Sequence, residues 1–335
     1  MFLIDNNVMV TIKDLQNYTN ISMATISRAL RNPTSVSPEK LAIINDAVDK
    51  LGYIPNYFAS NLKNSQGSNI GFIVNDVQNP FFNNLIESIE TNLANEKFKL
   101  LIAFGLSENN SIDDKVKNFL SSSVAGIMFS PNKSDTNVEK LIHQQNVYPL
   151  QLFVKAYDNM DSIVVDDYYG TYLATRRLLH SGHRNTLIIG FSNLICTTRI
   201  DGYKKAYEEM GLSAKDENIF LLDSTEFLAE KIGTRIIAER PTAIITIADT
   251  IGIQTVKVLK KLSMSIPDDI SLILYDDSPW ADLMDITAIG HPIDVLGKTI
   301  AQTVVNGIRN KEHREPLSIK IEPLIIERNS VRNIN

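Results

Sequence analysis

Two hydrophobic periods divide the chain. Through residue 51, apolar positions recur at helical spacing: Ile12 and Leu15, then Ile26 and Leu30, then Leu41, Ile44, Ala47, Val48 and Leu51. From Ile70 onward, short and nearly continuous apolar runs take over, at 70–74, 100–104, 126–129, 149–154, 186–190, 219–222, 243–247 and 270–274. Amphipathic stretches such as 82–94 and 168–181 fit between them as helices. Continuous apolar strands alternating with helices predict parallel sheets covered on both faces. Eight strands over this length suit two doubly wound subdomains. The expected fold class is therefore α/β, with an all-α head at the N-terminus.

Local chemistry sharpens the head. Thr11 can cap a first helix with Asp14 as its reciprocal partner three residues on. Asn20 stands at the turn, where a left-handed backbone is needed. Ser22 can cap a second helix whose Ile26 and Leu30 point inward. A third helix opens at Ser37-Pro38-Glu39 and is stopped by Gly52. Met23, Ala24, Ser27 and Arg28 face outward from the second helix. Small side chains plus one arginine can enter a DNA major groove. An ordinary helical hairpin with a solvated face carries the same pattern.

Composition bounds the function. The chain has 335 residues, enough for two or three domains, and a net charge of −6. No apolar run reaches membrane-spanning length, and no basic segment followed by an apolar stretch opens the chain. One cysteine, Cys196, leaves no intramolecular disulfide and fits a reducing cytoplasm. In residues 1–68, Lys13, Arg28, Arg31, Lys40, Lys50 and Lys63 face Asp5, Asp14, Glu39, Asp46 and Asp49, a net of +1. So weakly basic a head gains little from phosphate neutralisation, and helix dipoles, backbone amides and dimerisation must contribute more. Polar and aromatic clusters follow several strands, as ligand sites in such sheets do: Asn79-Pro80-Phe81-Phe82, Ser130-Pro131, Thr197-Thr198-Arg199, Asp249-Thr250 and Asp276-Asp277-Ser278-Pro279-Trp280. No phosphate-cradling glycine loop or metal-ligand cluster is present, and the neighbours Asp276 and Asp277 point in different directions along an extended chain. No enzyme, cofactor or metal is expected.

Thr11-Ile12-Lys13-Asp14, Ala24-Thr25-Ile26-Ser27-Arg28-Ala29-Leu30, Val36-Ser37, Leu51-Gly52-Tyr53-Ile54-Pro55-Asn56, Asn79-Pro80-Phe81-Phe82, Gly182-His183-Arg184 and Tyr275-Asp276-Asp277 together resemble the lactose/galactose-repressor family of bacterial transcription regulators. The resemblance covers nearly the whole chain. It implies a helix-turn-helix head at 8–55, a hinge helix and linker at 56–68, and a periplasmic-binding-protein-like core at 69–335. The core's first subdomain would be 69–161 with 293–322, and its second 162–292 with 323–335, joined by crossings near Asp161-Ser162, Pro292-Ile293 and Glu322-Pro323.

By the same resemblance, Thr11, Ser22, Met23, Ala24, Thr25, Ser27, Arg28, Asn56 and Leu62 form the DNA-binding set. Met23, Ala24 and Arg28 would read bases, with Arg28 forking onto a guanine or else clamping a phosphate. Leu62 matches the hinge-helix leucine that wedges into a minor groove; a linker with one apolar residue is its other reading. The effector-binding set is Phe81, Phe82, Arg199, Asp249, Asp276 and Trp280. Phe81 and Phe82 are equally readable as core packing, and Asp277, His183 and His291 read better as structural. Gln16, Thr19 and Asn20 depart from the small residues usual in the family's head. Val154-Lys155 stands where sugar-binding members carry Asp-Arg, which removes a hydroxyl contact. No leucine-heptad tail is present, so dimers are expected. The resemblance thus implies a cytoplasmic, nucleoid-associated homodimeric repressor of a carbohydrate-utilisation operon. It would bind double-stranded operator DNA under control of a sugar or sugar-derived effector, with no membrane partner. A solute-binding receptor of the same fold, and a regulator controlled by a partner protein, are the alternatives.

Overall fold

A computed structural model describes residues 10–53, 68–74, 77, 79–104, 111–131, 137–310 and 315–335. The chain divides into two units, 1–67 and 68–335. Asn56, Leu62 and the hinge expected around them lie outside the described residues.

The first unit holds α1 (Ile12–Thr19), α2 (Met23–Arg31) and α3 (Pro38–Leu51). The Asp14 carboxylate accepts from the Thr11 N–H at 2.8 Å and from its hydroxyl at 2.6 Å, closing the first turn of α1. Asn20 ends α1 in the left-handed region, φ 58°, as the turn requires. The Ser22 hydroxyl accepts from the Thr25 N–H and opens α2. Leu15, Ile26, Ala29, Ile44 and Ala47 are fully buried where the three helices meet. Each buried leucine or isoleucine contributes roughly 1.5–3 kcal/mol, which such a small bundle needs.

In the second unit the chain runs β1 (Asn69–Val74), α4 (Pro80–Asn95), β2 (Lys99–Phe104), α5 (Ile112–Ser121), β3 (Gly126–Phe129), α6 (Val138–Gln144), β4 (Tyr148–Leu152) and β5 (Asp161–Val165). It continues through α7 (Asp167–His180), β6 (Thr186–Phe191), α8 (Leu194–Glu209), β7 (Ile219–Leu222), α9 (Leu228–Glu239), β8 (Ala243–Thr246) and α10 (Asp249–Lys261). The last elements are β9 (Ser271–Tyr275), α11 (Pro279–Leu283), β10 (Ala288–Gly290), α12 (Ile293–Arg309), β11 (Ser318–Ile321) and β12 (Leu324–Ile326). Two six-stranded sheets result, in the orders β11-β5-β4-β3-β1-β2 and β12-β10-β9-β8-β6-β7. All pairings are parallel except β10 with β12.

Both faces of each sheet are covered, which is why the strands are apolar throughout. Ile70, Phe72 and Val74 of β1 pack with Leu85, Ile89 and Leu93 of α4 and Ile300 and Val304 of α12. Ile73 turns to the other face, against Val116 and Phe119 of α5. The second sheet is sandwiched in the same way, with α7 and α8 on one face and α9 and α10 on the other.

The first crossing is four residues later than expected. Asp161 and Ser162 stand inside β5, which pairs with β4 and β11 in the first sheet, and the chain leaves that sheet at Asp166. The polar pair misleads because its needs are met internally. Asp161 accepts from the Leu317 N–H at 2.8 Å and from the Tyr148 hydroxyl. The chain returns at 291–292, since α12 packs on the first sheet, and crosses a third time at 322–323.

Candidate functional site

The strands of both sheets aim their carboxyl ends at one cleft of about 350 Å³. The first sheet supplies Asn79, Phe81 and Phe82 after β1, Ser130 after β3 and Phe153 after β4. The second supplies Asn193 and Arg199 after β6, Asp249 after β8 and Asp276 after β9. Asp167 and His291, on two of the crossings, complete the wall.

Arg199 is held from several sides. Its Nε and Nη2 each donate to Asp167 Oδ1 at 2.8 Å, and Nη1 donates to the Ile247 carbonyl at 2.7 Å. Its guanidinium lies 3.4 Å from the centre of the Tyr275 ring, whose hydroxyl donates to the same Asp167 oxygen at 2.6 Å. Burial opposes the charge on Arg199, but the fields of Asp167, Tyr275 and Asp276 outweigh it and hold the pKa above the ordinary arginine value. Burial and the charge of Asp167 likewise push the Tyr275 phenol well up, so it remains a donor.

Asp276 sits in the left-handed region, φ 72°, which turns its carboxylate off the end of β9. Oδ2 accepts from Asn79 Nδ2 at 2.9 Å, and Oδ1 accepts from His291 Nε2 at 3.0 Å. Burial works against the ionised form, yet His291, Arg199 and Asn79 hold the carboxyl below its usual range. Asn79 also caps α4, its Oδ1 accepting from the Phe81 N–H at 2.9 Å. One carboxylate therefore ties the first turn after the first sheet to the second sheet.

Phe81 and Phe82 line the cleft and also pack against the core. They form an edge-to-face cluster with Phe153, their centroids 5.1–5.7 Å apart. Asp249 lines the cleft, with Oδ1 accepting from the Ser278 hydroxyl and, at 2.8 Å, from Trp280 Nε1. Trp280 departs from expectation. Its ring packs with the core behind Asp249 and does not line the cleft, because its only polar atom is drawn to the carboxylate. Asp277 turns away and pairs with Arg328 at 2.7 Å. His183 is enclosed between the Thr242 hydroxyl and the Arg332 carbonyl. Burial pushes the Cys196 thiol up, so it is a poor nucleophile.

Reading the sequence missed Asp167, Tyr275 and the cleft position of His291. A signal existed for Asp167: the apolar run 163–165 marks a strand, and the next residues open a helix.

In the head, Met23, Ala24 and Arg28 are exposed on α2, whereas Thr25 and Ser27 are half-buried. Thr11, Ser22 and Thr25 spend their hydroxyls on helix caps. Among the described residues no group of acidic, histidine or cysteine side chains could hold a metal, and no helix is long and apolar enough to cross a membrane.

A helix-turn-helix head followed by a two-sheet core with a shared cleft defines a class of two-module regulators. The description "Bacterial regulatory proteins, lacI family" matches residues 11–56, and "Periplasmic binding proteins and sugar binding domain of LacI family" matches 67–329. The chain belongs to the LacI family of bacterial transcription regulators. It is 26% identical over 339 residues to the HTH-type transcriptional repressor PurR of Vibrio parahaemolyticus, covering 98% of this chain and 100% of that protein. It is 25% identical over 335 residues to the ribose operon repressor of Haemophilus influenzae, covering 97% and 100%. The structure of the lac repressor dimer bound to operator and the anti-inducer ONPF superposes with a TM-score of 0.83 at 20% identity, covering 96% of this chain and 99% of that one. At that identity the likeness is one of fold.

Proposed function

We propose that this chain represses a carbohydrate-utilisation operon as a cytoplasmic homodimer, and that a small molecule in the cleft sets its operator affinity. The observation that carries this reading is the Asn79–Asp276 hydrogen bond, which spans the cleft between its two halves. A ligand that competes for Asp276 has different contacts in the tied and untied arrangements. Differential contact is what allows a ligand to shift a conformational equilibrium and, by linkage, DNA affinity. The relatives named as repressors support it, as does the lac repressor dimer seen on its operator.

In this reading 8–55 is the DNA-binding domain and 56–68 the hinge, with Leu62 as the minor-groove wedge and Asn56 a further DNA-binding residue. Met23, Ala24 and Arg28 meet base edges. Thr11, Ser22, Thr25 and Ser27 support the helices or reach phosphate. Phe81, Phe82, Arg199, Asp249 and Asp276 form the effector site, with Trp280 behind it, and the protein performs no catalysis. The test uses the full chain. Selection from random duplexes should yield a near-palindromic operator, and a thermal-shift screen of sugars, polyols, sugar phosphates and purines should yield a stabilising ligand. At 100 times its Kd a ligand adds about 2.7 kcal/mol. That ligand should change operator affinity. A ligand that binds without doing so makes the protein a receptor, and failure to select any duplex ends the regulator reading.

A further inference from the structure

Gln151 is fully buried within β4, between Leu150 and Leu152, and does not line the cleft. Its side chain is bonded to the backbone of the loop that follows, 153–160. Oε1 accepts from the Ala156 and Tyr157 N–H groups, each at 2.8 Å. Nε2 donates to the Tyr157 carbonyl at 2.7 Å and to the Met160 carbonyl at 3.2 Å. An amide side chain has two acceptor and two donor positions, and here every one is spent. Leucine would fill an apolar strand position without burying polar atoms. The amide therefore serves the loop and not the strand.

That loop opens on a strained residue. Phe153 has φ 67°, in the left-handed region, and the Val154 N–H donates back to the Leu152 carbonyl at 2.8 Å, closing a γ-turn. With a positive φ at its centre this is the rare, strained form of the turn. A residue with a side chain keeps such a backbone only where its surroundings fix it. The Ile163 carbonyl accepts from the Phe153 N–H at 2.9 Å, and Gln151 anchors the chain beyond the turn. The turn places one ring. Phe153 lines the cleft and meets Phe81 and Phe82 edge to face, at 5.7 and 5.6 Å. The first half of the cleft thus contributes Phe81, Phe82, Phe153 and Val154, while Arg199, Asp249 and Asp276 come from the second.

Resting on the reading of this cleft as the effector site, we infer that Gln151 is a positioning residue for ligand specificity, and that the ligand it selects is a polyol bearing an apolar group, of the aryl-glycoside class. By holding 156–160, Gln151 keeps the turn at Phe153 closed and its ring in the wall. A bare polyol sets hydroxyls against phenyl rings that offer them no conventional hydrogen bond. An apolar group placed there leaves water together with the rings, while the hydroxyls meet the polar half.

The test titrates the full-length protein calorimetrically with two matched probes, phenyl and methyl β-D-glucopyranoside. The phenyl glucoside should bind about tenfold tighter, a factor that burying about 55 Å² of additional apolar surface supplies. Phe153→Ala should bring the two affinities together. Gln151→Leu should do the same from outside the cleft, and the double variant should add nothing further. Gln151→Glu keeps both acceptors for the loop N–H groups, so its preference should fall between those of wild type and Gln151→Leu; it also carries the test if the leucine variant does not melt cooperatively. A merely structural glutamine would lower the melting temperature and weaken both probes in proportion. A phenyl preference that survives in the Gln151 variants but not in Phe153→Ala would therefore overturn its positioning role. Equal binding of the two probes by wild type, no heat from either, or a preference untouched in Phe153→Ala would overturn the specificity. Operator binding measured alongside separates the two levels. A methyl glucoside that binds as tightly as the phenyl and alters operator affinity spares the effector reading while ending this one. The expected phenyl preference with no change at the operator does the reverse.

Discussion

A guanidinium taken out of water needs both its charge and its donors answered, and Arg199 finds the answer inside the protein, on Asp167, the Ile247 carbonyl and the Tyr275 ring. Arg199→Ala would leave the Asp167 carboxylate buried with the Tyr275 hydroxyl as its remaining partner. Breaking a buried pair from one side costs about 3–5 kcal/mol. The variant should therefore lower the urea midpoint of the core steeply as well as affect ligand binding, and a midpoint equal to wild type would show the pair to be dispensable. His183 carries a pH signature of the opposite kind. Burial, together with Arg332, Arg177 and Arg184, depresses its pKa below the ordinary 6.5. The folded protein thus holds it neutral at pH values where the unfolded chain binds a proton. Its contribution to stability is complete above about pH 6.5 and is lost as pH falls toward the depressed value. Melting temperatures between about pH 7 and 5.5 should decline in wild type and decline less in His183→Gln.

At the scale of elements, α2 presents Met23, Ala24 and Arg28 as exposed side chains, and of these three Arg28 carries the guanidinium that can fork onto a guanine. Arg28→Ala should lose about 1–3 kcal/mol per half-site and relax one base position in a binding-site selection. Uniform weakening with the same preferred sequence would reassign it to phosphate. The packing of α8 on α7 depends on a missing side chain: a Cβ at Gly202 would stand 2.0 Å from the Tyr168 carbonyl oxygen. Backbone cannot swing aside as a side chain can, so Gly202→Ala should cost about 3 kcal/mol, the upper end of ordinary overpacking, read as a drop in melting temperature. These elements also mark what a sequence discloses. Its eight continuous apolar runs coincide with β1 to β4 and β6 to β9. The capping box at Thr11 and the left-handed Asn20 are local chemistry, legible without neighbours. The strands that escaped notice are β5, β10, β11 and β12, of three to five residues each. Such short segments carry little periodicity, and β5 begins with a polar pair whose Asp161 accepts from distant Leu317 and nearby Tyr148. The cleft was half legible for the same reason. Arg199, Asp249 and Asp276 follow strands that announce themselves, whereas Asp167 and His291 stand on crossings whose direction only the tertiary structure reveals.

For the whole molecule the decisive contact is between halves of the core that the chain enters three times. Asn79 serves both halves, capping α4 with its oxygen and holding Asp276 with its nitrogen. The two duties can be separated by one substitution. Asn79→Asp keeps an oxygen for the Phe81 N–H, since aspartate caps as well as asparagine, but it sets a carboxylate where the amide stood, 2.9 Å from Asp276 Oδ2. Two carboxylates that close cannot both stay ionised at low cost. At neutral pH the repulsion should favour separation of the two halves, seen as faster hydrogen exchange in the segments around Phe82 and Asp276 than in wild type. At mildly acidic pH the pair can share a proton and restore the hydrogen bond, so the excess exchange should shrink as pH falls. If closure of this cleft controls the head, operator affinity in Asn79→Asp should follow the same pH trend without any ligand. Exchange that responds to pH while operator affinity does not would place the Asn79–Asp276 tie outside the route from cleft to DNA.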